Sequence, residues 1–570
     1  MSPDEYQNVF DEIGSDFSDF SAESDDEYTP SDDNSSAPAG PRNLNAVSSS
    51  SEDEDSDDND DDRPPVATSN FTWTTVPANH IPPKRIPDER PVITRLNLHR
   101  GCTELDVFRK MFPRSLLIFI AQCTNERLQM VAKEVQKRRS GGNLSYKVES
   151  RKSLAANCTD EYEIMMILGI MLIMCYNKVP ALSHYWSENN SLGNIVIKEA
   201  ISRDRCTLLL SKMYYNSPQK PKDASKIYYI EEVLNCLKTT FPEAREESPF
   251  QCIDESMTKF KGRSALKQYM PLKPIKRGVK IWERCDSKTG YLYDMNIYQG
   301  KEDSSAVGTL GERVVKKLVS TLRTNDVSIC IDRFFTSVQL MSDLPVACVG
   351  TYISNRKNVP KFDNKKLQRG EADFMVNSNG TIATRWKDTK DVFVLSNSHT
   401  DNMTTVRRTL KTGERKEFTC PEMITFYNQN MGGVDLSDQQ VALYDFNRKS
   451  TKWWRKAFYK LFLSAVVNAW VLHGELNKKQ PLLSFIVPLA ENLISEGKEK
   501  TSAKTRKVHG IAKSKRAKKM VDVGSHLPEK ITERRRCVRC QEEGKERRTK
   551  ILCPACNVPL CQSCFSLYHQ

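Results

Sequence analysis

Bases are nearly absent from the first 62 residues of this 570-residue chain, where Arg42 stands alone against 21 Asp and Glu. Long apolar runs are absent too. The most apolar stretch, IMMILGIMLIMC from Ile164 to Cys175, is well short of the ~20 residues that cross a bilayer, and it reads as a buried helix. The opening residues offer neither the basic nor the apolar part of a secretory leader, so a non-secreted chain is expected. Cysteine motifs are missing from most of the length: 11 of the 17 cysteines are scattered without pattern before residue 537. That argues against a disulfide framework and suits a reducing compartment. The length itself excludes a single hydrophobic core and predicts two to four domains.

What is present is charge, unevenly distributed. Setting residues 1–62 aside leaves 84 Lys and Arg against 52 Asp and Glu, a surplus of 32. A body that basic suits a polyanion such as DNA, whose condensed counter-ions are released as its phosphates are neutralised. The acidic start, residues 1–85 with SSSSEDEDSDDNDDD at its heart, cannot bury enough apolar surface to offset its ordering entropy. It is expected to be disordered.

From 92 to 247 apolar residues recur at three- and four-residue spacing, as in VFRKMFPRSLLIFIAQCTNERLQMVAKEV, and predict a helical domain. Residues 248–354 change period. SPFQCIDESM reads as a strand ending near Asp254; VKIWERC and YLYDMNIYQG read as two more, joined by the turn residues DSKTG. GTLGERVVKKLVSTLR is an amphipathic helix with Leu310, Val314 and Leu318 on one face. VSICID is a fourth strand, ending in Asp332. The order strand, strand, strand, helix, strand, with an acid at the first and fourth strands, is that of the ribonuclease H-like fold, in which such acids meet at one edge of the sheet. Residues 355–419 read as a polar, irregular insertion with one candidate strand, DVFVLS. Residues 420–495 close the core: MGGVDLSDQ sets Asp435 and Asp438 ahead of the strongly helical KWWRKAFYKLFLSAVVNAWVLHGEL. A basic linker, 496–525, and a cysteine-rich domain, 526–570, complete the mixed multi-domain layout.

Transfer of a phosphodiester bond calls for two divalent cations roughly 4 Å apart, held by hard oxygen ligands. Asp254, Asp332 and Asp435 suit Mg²⁺ (or Mn²⁺) in that role, with Asp438 as an auxiliary acid. One aspartate at a strand end has turn or cap duty as its ordinary explanation. The words around these acids add more. IDESMTKFKGRSALKQYMPLKPIKRGVKIW, TGYLYDMNIYQGK, CIDRFFTS, FYNQNMGGVDLSDQ and KWWRKAFYKLFLSAVVNA together resemble the piggyBac transposases and their domesticated derivatives, from about Phe108 onward. The resemblance implies that Asp254, Asp332 and Asp435 are catalytic metal ligands. It also implies a discontinuous helical DNA-binding and dimerisation region, hence a homodimer. Members cut double-stranded DNA at terminal inverted repeats and join it to TTAA targets. One departure stands out: the family usually has Asn after its second aspartate, where this chain has Arg333. An arginine there pairs with Asp332 or a phosphate, repels a metal ion, or faces away.

Lys261, Arg263, Lys273 and Lys276 follow the first acid, and Arg448, Lys449 and Arg455 flank Trp453–Trp454; all are candidate DNA contacts. The tryptophans themselves suit packing better than base stacking. At the end of the chain Cys537-x₂-Cys540, Cys553-x₂-Cys556 and Cys561-x₂-Cys564 precede His569. Two-residue gaps let paired thiolates reach one tetrahedral Zn²⁺. A cross-brace would hold one ion with Cys537, Cys540, Cys561 and Cys564, and a second with Cys553, Cys556, His569 and His526. This resembles the DNA-binding cysteine-rich domain of piggyBac transposases. The same spacing serves RING-like ubiquitin ligase modules and histone-reading fingers, and the neighbouring bases from Arg534 to Lys550 favour DNA. In the linker, Lys513, Lys515, Arg516, Lys518 and Lys519 read as a nuclear localisation signal. The sequence therefore points to a nuclear, metal-dependent DNA transposase. The alternative is a domesticated DNA-binding or chromatin protein that keeps the fold without catalysis.

Overall fold

Helices fill the chain from Glu104 to Ala244 because apolar positions recur with helical spacing and polar caps start several of the runs. In the computed structural model they are α1 (Glu104–Met111), α2 (Arg114–Arg139), α3 (Glu161–Tyr176), α4 (Ile195–Ala200), α5 (Arg203–Lys212) and α6 (Tyr228–Ala244). Thr103 and Asp106 form a capping box on α1. The Asp160 carboxylate accepts from the amides of Tyr162 and Glu163 at the start of α3. Every residue of α3 from Ile164 to Cys175 is buried, as expected for an apolar helix in a core. Among the described residues no helix is long and apolar enough to cross a membrane. The structure describes residues 71–139, 157–271, 273–300, 307–409, 413–446, 448–508, 528–554 and 556–569. Contacts divide the chain into two units, residues 1–503 and 504–570.

The first unit is organised on one ten-stranded sheet. Its strands are β1 (Trp73–Thr74), β2 (Phe250–Lys259), β3 (Lys267–Tyr269), β4 (Arg277–Asp286), β5 (Leu292–Ile297), β6 (Ser328–Ile331), β7 (Ala347–Thr351), β8 (Ala372–Asn377), β9 (Ile382–Lys387) and β10 (Asp391–Ser396). The order is β1-β8-β9-β10-β7-β6-β2-β4-β3, with β5 also on β4. Strand β6 runs parallel to both β2 and β7, and the other pairings are antiparallel. Helix α7 (Leu310–Val319) crosses from β5 to β6, and α8 (Val338–Asp343) from β6 to β7. This gives the expected strands β2, β4 and β5, helix α7 and strand β6, with the short β3 added between β2 and β4 in the chain and placed at one end of the sheet.

Three expectations change. β2 does not end near Asp254 but runs on to Lys259, so the first acid lies mid-strand. The stretch 355–419 is not irregular: β8–β10 extend the main sheet beyond β7, and β11 (Met403–Thr409) with β12 (Arg415–Pro421) makes a separate ribbon. Apolar and polar residues alternate there among many Asn, Asp and Lys, which mask the strand period. The expected tail 1–85 contributes an edge strand, with Trp73 and Thr74 paired to Asn377 and Val376. Residues 1–70, with the acidic run, lie outside the described residues.

Helices α9 (Glu422–Asn430), α10 (Gly433–Leu443), α11 (Trp453–Leu476) and α12 (Leu482–Val508) follow. Phe458 and Phe462 of α11 pack against Phe108 and Phe112, so helices from both ends of the unit share one core. Helix α12 reaches Val508 and takes up the start of the expected linker; Lys513, Lys515, Arg516, Lys518 and Lys519 lie outside the described residues. The second unit is small: β13 (Glu529–Arg536), β14 (Arg548–Cys553) and β15 (Val558–Pro559) form a sheet beside α13 (Val538–Glu542) and α14 (Gln562–Tyr568).

Candidate catalytic carboxylates and metal-ligating tail

Parallel pairing sets the first two acids. Ile253 on β2 is in register with Ile331 on β6, so Asp254 and Asp332, the next residues, stand at one level on adjacent strands. Oδ1 of Asp332 accepts from the Arg333 amide at 2.6 Å and from Thr351 Oγ1 at 3.1 Å, and Thr351 in turn meets the Tyr427 hydroxyl at 3.5 Å. Asp254 is only 9% exposed, and its Oδ1 accepts from the Glu255 amide at 2.8 Å. Burial holds its carboxyl well above the usual range; Lys273 opposes this, while the charges of Glu255 and Asp332 add to it.

The third acid depends on how closely α10 approaches the sheet. A Cβ on Gly433 would lie 2.5 Å from Asp286 O and 2.9 Å from Cys252 Sγ, so only glycine lets the helix start there. Two residues on, Asp435 is exposed in the first turn, where its charge complements the helix N-terminus. Asp438, one turn later, accepts from Ser256 Oγ at 2.8 Å and pairs with Lys460 of α11. The Lys460 ammonium also lies 3.5 Å from Glu283 Oε1, and Glu283 is the cross-strand partner of Asp254. Burial pushes the Glu283 carboxyl up to about 7, with Lys460 opposing and Asp438 adding.

Lys273 lies among these acids, 3.9 Å from Asp254 Oδ2 and 3.5 Å from Glu255 Oε1, and it donates to Glu255 O at 3.3 Å. Burial disfavours its charge, but Asp254, Glu255 and Asp435 outweigh burial and push its pKa up.

The candidate DNA contacts divide. Lys261, Arg263, Lys276 and Lys449 are exposed, and Arg448 is half-buried with its guanidinium 5.7 Å from the centre of the Tyr185 ring. Arg455 is not available to DNA: it is fully buried and donates to Ser211 O, because its position on α11 faces the core. Trp454 stacks on Tyr229 at 4.5 Å, the packing role expected for it. Arg333 is exposed, and among the described residues its guanidinium makes no hydrogen bond or ion pair with Asp332, which is reached only by the Arg333 amide; the Arg333 carbonyl accepts from Arg356.

In the second unit two groups of side chains bring their ligand atoms within 4.8 Å of one another: Cys537, Cys540, Cys561 and Cys564, all buried, and Cys553, Cys556 and His569. His569 Nδ1–H donates to Phe565 O at 2.7 Å, which keeps the proton on Nδ1 and leaves Nε2, 3.6 Å from Cys556 Sγ, as the ligand atom. His526 lies outside the described residues. Among the described residues the aspartates form no such tight group.

Sequence reasoning missed Glu283, Lys460 and Ser256. Two signals pointed to them. Glu283 is a lone acid in the apolar strand VKIWERC, and Ser256 follows Asp254 at the two-residue period of a shared face.

The family described as "Transposase IS4" matches residues 103–470, and that described as "DDE_Tnp_1-like zinc finger" matches 524–570. Over 431 residues the chain is 24% identical to the Homo sapiens "PiggyBac transposable element-derived protein 3", across 71% of this chain and 70% of that one. It is 29% identical over 330 residues to the Homo sapiens "PiggyBac transposable element-derived protein 2", across 55% of each. The fold is similar to that of piggyBac transposase, solved by cryo-EM as a synaptic complex with hairpin DNA. The TM-score is 0.61 at 22% identity, over 82% of this chain and 98% of that one. All three aspartates and all six tail cysteines fall inside the matched segments, and the chain belongs to the piggyBac transposase family.

Proposed function

We propose that the protein is a DNA transposase that cuts and joins strands by metal-dependent phosphoryl transfer, with Asp254, Asp332 and Asp435 as the ligands of two divalent cations. The observation that carries this reading is the shared register of Asp254 and Asp332, with α10 packed close on β2 beside them. An all-oxygen set fits Mg²⁺ or Mn²⁺. Among the described residues, one oxygen of Asp332 accepts no hydrogen bond, and Asp435 accepts none. When bound, such cations activate the attacking oxygen and stabilise the leaving oxygen. The side chains around them do the rest. Thr351 and the Arg333 amide orient Asp332, while Ser256 and Lys460 hold Asp438 and with it the first turns of α10. Exposed Lys261, Arg263, Lys276 and Lys449 contact backbone phosphates and fix register without reading sequence.

The family resemblance extends the proposal to terminal inverted repeats as the DNA cut, TTAA as the target, a homodimer as the acting form and the nucleus as the compartment. In the tail the sulfur-rich sets fit Zn²⁺, two ions in all. The alternative, a DNA-binding protein without catalysis, rested on Arg333; the exposure of its guanidinium, which pairs with no carboxylate of the site among the described residues, favours the active reading. Excision of a repeat-flanked segment from a plasmid tests it. Wild type should release the segment and Asp332→Ala should not; no release by either, alongside an active relative, would leave the non-catalytic reading.

A further inference from the structure

We propose that Lys273 is the built-in counter-ion of the carboxylate site and competes with divalent cations for it. The inference rests on the two-metal reading above. Among the described residues, Lys273 is the one cation within 4.0 Å of Asp254 or Glu255, at 3.9 and 3.5 Å. Asp254 is 9% exposed, too buried for water alone to screen it; Glu255 and Asp332 add like charge around it, and Asp435 acts on Lys273 itself. A group of acids that has no ion must be neutralised by protons or by a cation, and the geometry supplies the cation.

The backbone around Lys273 suits a cation that leaves. It lies in the turn between β3 and β4, closed by the Met270 amide donating to Lys276 O at 2.8 Å, and its side chain is 28% exposed. Its ammonium donates to the Glu255 carbonyl at a long 3.3 Å. A flexible four-carbon stem can carry the ammonium away without moving either strand, which a buried guanidinium fork could not do as readily. Lys460 differs. It is 9% exposed, paired with Asp438 and 3.5 Å from Glu283, so it is fixed. On metal entry Lys273 gives up Asp254 and becomes free for the DNA backbone, which ties metal loading to phosphate binding.

The test is the thermal unfolding midpoint of the full chain, with the tail kept zinc-loaded, as Mn²⁺ is titrated in the absence of DNA. Wild type should be stabilised with a measurable half-saturating Mn²⁺ concentration. Lys273→Met should lower that concentration by roughly tenfold or more, because even at the dielectric of water one unit charge ~4 Å away opposes a dication strongly. Lys276→Met, which removes the same charge from an exposed position on the same turn, should leave it nearly unchanged, and Lys273→Arg, which keeps the charge on a group that leaves less readily, should stay at the wild-type concentration or rise above it. If wild type responds and Asp332→Asn does not, but Lys273→Met responds at the wild-type concentration or above it, Lys273 is not the competing counter-ion. If wild type does not respond at all, the two-metal reading fails, and this inference with it.

Discussion

The tail gathers its ligands from Cys537 to His569, most of them in pairs with two residues between, whereas Asp254, Asp332 and Asp435 come from two adjacent strands of the core and a helix packed on them. The tail's thiols lie within 4.8 Å of one another; the aspartates stand wider, with an ammonium beside them. The contrast separates two uses of metal. A small unit with little apolar core relies on its ion for folding, while a large one is held by packing and can present acids that wait for theirs. Metal removal should therefore unfold one site and only discharge the other.

Four perturbations break or sharpen that contrast. The largest effect is expected from a strong zinc chelator or from Cys540→Ser, since structural zinc is worth on the order of 10 kcal/mol or more to small domains. Amide exchange should rise throughout β13–β15 and stay unchanged in β2 and β6; equal protection in the tail with and without metal would dissolve the contrast. Next is Gly433→Val. The added side chain meets Asp286 O and Cys252 Sγ, and overpacking of this kind costs roughly 1–3 kcal/mol. Urea melts should record that loss, and cleavage should fall further than stability does, because Asp435 moves with α10.

Glu283→Gln tests the buried charge behind the site. The wild-type carboxyl rises from 4.5 to about 7 on folding, so the folded chain holds a proton that the unfolded chain has lost. Its contribution to stability therefore falls as pH rises from about 4.5 to about 7, then levels off. The variant should gain on wild type by roughly 1–3 kcal/mol between pH 5 and pH 8 in urea melts. A constant difference across that range would mean that Glu283 is ionised throughout, balanced by Lys460. The smallest effect belongs to Arg333→Asn. An exposed side chain without contact to Asp332 should alter the cleavage rate by less than about threefold, the scale of surface substitutions.

The same contrast explains what the sequence made legible. Ligand pairs with two residues between them are a local pattern, and the three cysteine pairs could be read from spacing, whereas their cross-braced grouping was an assumed layout. Asp254 and Asp332 were visible as acids on strands, but their shared level depends on the parallel register of β2 with β6, which no local pattern encodes. The extent of the sheet was hidden for another reason. In β8 and β9 strand-forming residues such as Phe374, Thr384 and Trp386 are interleaved with Asp, Asn, Lys and Arg, so composition pointed to a loop. Lys273 and Arg455 fared alike: both were counted as surface bases, and only packing separates a cation among acids from one sealed against Ser211. The contacts of Ser256, Glu283 and Lys460 behind the aspartates likewise arise from cross-strand pairing and from the seating of α11.

The central claim is that the three aspartates form a working metal site for strand transfer. Its most direct test is joining of a pre-cut, repeat-bearing DNA end to a TTAA-containing duplex by purified, zinc-loaded protein, with and without Mg²⁺. The account predicts joined product with wild type in Mg²⁺ and none with chelator. It also predicts a loss of at least ~10³-fold in Asp332→Asn, which removes a ligand charge while unfolding at nearly the wild-type temperature. Product formed equally well by Asp332→Asn, or by wild type without divalent metal, would contradict it.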